Sequence, residues 1–152
     1  MTDGMRRAGP PGNGGEDEVR IGVFICHCGG NISDVVDVQR VAEEVGRLPH
    51  VVLSTTHMFA CSDPGQALIE QKIKELNLNR VIVAACSPSL HELTFRRAVG
   101  RAGLNQYLYE HTNIREQVSW VVANKELATQ KAIRLISGSV ARAAHLIPLG
   151  TV

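Results

Sequence analysis

Neither sign of charge predominates in this sequence: 16 Lys and Arg stand against 15 Asp and Glu, well mixed, for a formal net charge of +1. That balance leaves no electrostatic footprint for nucleic acid or an anionic membrane surface. Apolar runs long enough to span a bilayer are lacking. So are the apolar core and small-residue cleavage site of a signal peptide, and a cytoplasmic protein is expected. There is no GxGxxG after a strand and no Walker A sequence, so nucleotide binding is not expected at Gly29-Gly30-Asn31. No set of serine, histidine and carboxylate stands out as a hydrolytic centre. What is present is enough apolar residue, 44% of 152, to build one domain with a core. There are also four cysteines. Cytosolic reductants keep thiols reduced, so these argue for metal binding or redox chemistry over structural disulfides.

The stretch RIGVFICHCGGN, residues 20–31, organises the rest. Ile21, Val23, Phe24 and Ile25 read as a buried strand. It ends in Cys26 and Cys28, followed by Gly29 and Gly30, which permit a tight turn and close approach to a bound group. Residues 1–18, rich in glycine and proline, read as a disordered leader, and residues 19–149 as the domain. Asp37 is a plausible cap for a helix over residues 38–47, with Val38, Val41, Ala42 and Val45 on its buried face. Val51 to Thr55 is the second strand. Cys61 precedes a helix capped by Ser62 or Asp63, with Pro64 at its start, running to about Leu76. Val81 to Ala85 has the continuous apolar character of a central parallel strand and ends at Cys86. Ser87 and Pro88 open a helix that Ala102-Gly103 breaks. Residues 106–110 form a shorter fourth strand, and a long helical segment runs from Ile114 to about Leu146, interrupted near Asn124.

Alternating strands and helices predict an α/β domain: a Rossmann-like or flavodoxin-like parallel sheet of about four strands, with flanking helices and right-handed crossovers. In such a sheet the carboxyl ends of the strands share one edge, where open α/β folds keep their sites. Cys26, Cys28, Cys61 and Cys86 are therefore expected to face a common crevice. Four thiolates there suit either a tetrahedral zinc ion or an iron–sulfur cluster. The helix starts after Cys61 and Cys86 favour thiolates and an anionic cluster, and Gly29 and Gly30 are expected to offer backbone donors to cluster sulfurs. A thiol–disulfide function of Cys26 and Cys28 is a lesser alternative, because CxC matches redox motifs less well than CxxC. His27, His57, His91 and His111 read as exposed or hydrogen-bonded loop residues, and Trp120 as a core or interface anchor.

The segments VFICHCGGNI, FACSDPG, RVIVAACSPSLHELTFRRAVGRAGLNQYLYEHTNIREQVSW and KAIRLISGSVARAAHLIPL resemble, in order, the amino-terminal domain of the A subunit of heterodisulfide reductase. The likeness covers residues 20–149. It implies a [4Fe-4S] cluster held by Cys26, Cys28, Cys61 and Cys86. The implied role is single-electron relay within a heterodisulfide-reductase-like complex, as a component of an oxidoreductase and not as a catalyst alone. The sequence departs from the family at Val118, where the motif REHCSW carries cysteine. No flavin-binding glycine fingerprint occurs in these 152 residues, so FAD is expected on a partner or a downstream domain. The implied partners are other subunits of such a complex and a flavin-containing electron donor or acceptor, with self-association through apolar surface left bare. The rival reading is a zinc-bound or metal-free scaffold that docks other reductase subunits.

Overall fold

The computed structural model of the protein describes residues 18–150. The expected leader lies outside them except for Glu18, whose carbonyl accepts from Asn79 Nδ2 at 2.6 Å. Four strands, β1 (Ile21–Cys26), β2 (Val51–His57), β3 (Arg80–Ala85) and β4 (Tyr109–Asn113), form one parallel sheet in the order β2-β1-β3-β4. All six residues of β1 and five of the six in β3 are buried. These two strands are central, with both faces covered, which is why they read as nearly unbroken apolar runs.

Four helices supply the covering layers: α1 (Val38–Val45), α2 (Asp63–Leu76), α3 (Pro88–Arg101) and α4 (Lys125–Ala143). Ile21, Val23 and Ile25 point from β1 into one core with Val41 and Val45 of α1 and Ala132 and Ile136 of α4. The alternate residues Phe24 and Cys26 enter a second core with Ile69 and Ile73 of α2 and Phe95 and Val99 of α3. This is the two-residue period of a strand dividing its side chains between two layers. Gly22 leaves room for Leu78, whose Cδ1 would lie 2.4 Å from a Cβ there.

Each helix begins on the expected kind of cap. Asp37, Ser62, Ser87 and Asn124 accept from the backbone N–H groups of Arg40, Gly65, Ser89 and Leu127. Asn77 closes α2 in the left-handed conformation, φ 52°.

Two expectations need correction. The fourth strand runs over Tyr109–Asn113 and not over residues 106–110, because Asn105 makes a turn there: its Oδ1 accepts from Tyr107 N–H at 2.9 Å and its carbonyl from Leu108 N–H at 3.0 Å. The helix expected from Ile114 is a separate π-turn, Arg115–Ser119, in which Ser119 N–H donates to Ile114 O and Trp120 N–H to Arg115 O. The interruption near Asn124 holds, since α4 starts at Lys125.

Candidate metal centre

The sheet reverses its direction of build between β1 and β3, since β2 lies outside β1 and β4 outside β3. The crevice beyond the carboxyl ends of two such strands is where doubly wound sheets hold ligands. Cys26 is the last residue of β1 and Cys86 directly follows β3. Cys28 lies in a 3-10 turn, Cys28–Gly30, and Cys61 in the loop from β2 to α2. All four cysteines are free; Cys26 and Cys86 are buried, Cys28 and Cys61 half-buried. They share one neighbourhood, because Cys26 feels the charge of Cys28 and Cys61, and Cys86 feels that of Cys28 and Cys61.

The turn after β1 is sharp. Cys28, Gly29 and Gly30 take φ of 52°, 62° and 118° in succession. At Gly29 a Cβ would also strike the Phe59 ring at 2.7 Å. The N–H groups of the two glycines meet backbone oxygens here: Gly29 N–H donates to Met58 O and Gly30 N–H to His27 O, both at 3.2 Å. The donors on sulfur are Cys28 N–H and Ala60 N–H, at 3.2 and 3.3 Å from Cys26 Sγ. Backbone donors of this kind stabilise thiolate and cluster sulfur. Burial, the larger influence, still raises the Cys26 pKa above its usual value.

Arg115 and Glu116, which sequence reasoning missed, complete the crevice from β4. Arg115 Nη1 donates to Cys28 Sγ at 3.2 Å and its Nε to Glu116 Oε1 at 2.6 Å. The other carboxylate oxygen, Glu116 Oε2, accepts from Ser87 N–H at 2.6 Å. Burial pushes the Cys86 thiol up to about 11, against the opposing influence of Arg115. The backbone of Cys86 is tied down as well, since its carbonyl accepts from His111 Nε2 at 2.6 Å. A carbonyl cannot donate, so His111 carries its proton on Nε2, and its Nδ1 accepts from Tyr109 O–H at 2.5 Å. His57, also at a strand end, accepts from Phe59 N–H through Nδ1 at 3.1 Å.

Among the described residues no group of three or more His, Cys, Asp or Glu side chains is placed to hold a metal ion. An iron–sulfur cluster sets each thiolate on its own iron, around a body with its own volume. The chemistry of the donors, four free thiols with two N–H groups on Cys26 Sγ and a guanidinium on Cys28 Sγ, is of the kind that thiolate-ligated clusters use.

Fold and site together define a doubly wound parallel α/β domain with a thiol-lined crevice at its switch point. No family model matches the chain. Among curated proteins it is 56% identical over 134 residues to the A subunit of the H(2):CoB-CoM heterodisulfide,ferredoxin reductase of Methanothermobacter thermautotrophicus, a match that takes in 88% of this chain and 20% of that protein. It is 52% identical over 138 residues to the second iron-sulfur A subunit of the CoB--CoM heterodisulfide reductase of Methanopyrus kandleri, covering 90% of this chain and 21% of the relative. Against the A subunit of the Ferredoxin:CoB-CoM heterodisulfide reductase of Methanosarcina mazei it is 52% identical over 129 residues, 84% of this chain and 16% of the relative. The chain is homologous to one domain of the heterodisulfide reductase A subunit. It spans about a sixth to a fifth of the length of these relatives. No helix among the described residues is long and apolar enough to cross a membrane.

Proposed function

We propose that this domain holds one [4Fe-4S] cluster through Cys26, Cys28, Cys61 and Cys86 and relays single electrons within a heterodisulfide-reductase-like assembly. The observation that carries the reading is the gathering of four free thiols from the ends of β1, β2 and β3, with proton donors already aimed at two of the sulfurs. When bound, such a cluster takes up and gives up one electron at a time. The chain's own part is to hold and shield. Cys26 and Cys86 are buried, Cys28 N–H and Ala60 N–H meet sulfur charge, and the capped starts of α2 and α3 follow Cys61 and Cys86 directly.

The domain acts as a component of an oxidoreductase, in a cytoplasmic setting that keeps thiols reduced. FAD belongs to a partner or a downstream domain in this reading, and flavin-containing and other reductase subunits are the partners. The apolar residues Met58 and Phe59, half-exposed beside Gly29, and Trp120, 59% exposed, offer them a docking surface, and bare apolar surface of this kind favours self-association when no partner covers it.

The test is anaerobic purification of the full chain, iron and sulfide analysis, and a visible spectrum before and after dithionite. The expected result is about four iron and four sulfide per chain, with a broad absorption that bleaches on reduction. Replacing each of the four cysteines by serine in turn lowers the iron content. Stoichiometric zinc, or no iron after anaerobic reconstitution, overturns the reading in favour of a docking scaffold.

A further inference from the structure

A cation beside the thiols stands out once the rest of the molecule is compared with it. Arg40 pairs with Glu126 and Arg101 with Glu70 on exposed faces, and the half-buried Arg96 pairs with Glu92 beside Tyr107 and Tyr109, away from the thiols. Arg115 is 16% exposed and reaches a thiol. Its backbone is fixed by the π-turn, where its carbonyl accepts from Trp120 N–H at 2.9 Å and from Ser119 Oγ at 3.2 Å. Its Nε is held by Glu116 Oε1, and its Cζ lies 4.7 Å from the centre of the Trp120 ring. Of the two terminal nitrogens, Nη1 reaches Cys28 Sγ.

Glu116 is itself anchored at both ends. Its N–H donates to Asn113 Oδ1 at 3.1 Å, and its second oxygen accepts from Ser87 N–H, directly after Cys86. The Arg115–Glu116 pair therefore spans from the thiol that follows β1 to the turn that follows β3. A bare ion pair has no need of this route. Glu116 alone would satisfy the Ser87 N–H, and an arginine at position 115 facing solvent would keep its charge hydrated at lower cost.

We propose that Arg115 is the positioning residue of the cluster, holding Cys28 in place against the Cys86 turn and favouring the reduced state through a fixed positive charge and an N–H···S bond. The inference rests on the cluster reading given above. Reduction adds one electron and hence one negative charge to a body already ligated by thiolates, and a cation that cannot deprotonate favours the form with more negative charge. Arginine suits the task because its planar fork serves Glu116 and Cys28 at once; a lysine ammonium provides the charge without that geometry.

The experiment uses the full chain, reconstituted anaerobically, as wild type, R115Q, R115K and R101Q. Two quantities are read: the reduction potential, by titration followed with electron paramagnetic resonance, and the rate of iron loss to a chelator. R115Q is expected to lower the potential and speed iron loss. R115K, which keeps the charge, is expected to hold the potential nearer to wild type while losing iron faster. R101Q removes the same unit of charge from the α2–α3 face and is expected to change neither. A wild-type potential and iron-loss rate in R115Q, or an equal shift in R101Q, overturns the proposal while the cluster reading stands. Failure of the wild type to take up iron overturns both. If R115Q folds by circular dichroism yet keeps no cluster, R115K carries the measurement, and a wild-type rate of iron loss in it overturns the positioning role.

Discussion

Consider the same substitution, glycine to alanine, at two positions in helices. Gly65 is the third residue of α2, and a Cβ there would lie 2.4 Å from Ala60 O, 2.5 Å from Phe59 O and 2.6 Å from Ala60 C. All three are backbone atoms, so no side-chain rotation gives relief. Reaching even 3.0 Å from Ala60 O requires a shift of about 0.6 Å between the start of α2 and the loop before it. That shift strains Gly65 N–H on the Ser62 cap and Ala60 N–H on Cys26 Sγ. Overpacking costs about 1–3 kcal/mol and a weakened cap about 1 kcal/mol, offset by roughly 1 kcal/mol from the better helix propensity of alanine. The expected net loss is about 1–3 kcal/mol. Gly138, exposed in the middle of α4, has nothing within 4 Å of its Cβ position, and alanine there should gain about 0.5–1 kcal/mol. Urea unfolding of the metal-free full chain, followed by far-ultraviolet circular dichroism, should place the two variants on opposite sides of the wild type. G65A should also bind less iron after reconstitution. Wild-type stability and iron content in G65A would refute the claim that this glycine sets how closely α2 approaches the thiols.

Two further measurements probe the interior. Burial lowers the pKa of His111 below the usual 6.5, so between that lowered value and 6.5 the unfolded chain binds a proton that the folded chain does not, and stability must fall as pH falls. Unfolding free energies of the metal-free chain from urea titration should be level from pH 8 to about 6.5 and decline below it toward pH 5.5, by at most about 1.4 kcal/mol per pH unit for one histidine, and H111Q should flatten the decline; an unchanged slope would count against it. Ser54 Oγ is a buried hydroxyl without a hydrogen-bond partner, so S54A should be as stable as the wild type or gain up to about 1 kcal/mol. A loss above that would mean the hydroxyl is satisfied.

The parts of the fold that could be read from the chain are those where burial writes a pattern. β1 and β3 are covered on both faces and stand out as apolar runs with a cysteine at or just after their ends, so these two strand ends could be set side by side from residue type alone. β4 was expected three residues too early because Glu110, His111, Thr112 and Asn113 are polar and only Tyr109 and Thr112 among its residues are buried. The π-turn was hidden for a different reason. Ile114 and Val118, both fully buried, are four residues apart, and that spacing is what an α-helix shows. Arg115 then looks like any solvated arginine, since its meeting with Cys28 depends on where β4 ends and how the next turn is wound. The turn at the two glycines was legible, since positive φ follows from residue type; that their N–H groups meet Met58 O and His27 O here was not.

The strand order also sets when the thiol crevice can exist. Cys26 and Cys86 are brought together only by pairing of β1 with β3, a contact that bypasses β2 and α2, which lie between them in the chain. Arg115 arrives later still, after β4 has joined the sheet. No local segment contains a usable donor set, so iron cannot template the fold from a fragment as zinc does in small fingers. If the four thiols hold iron as proposed, loading would follow pairing of β1 with β3 and would meet a sheet already formed.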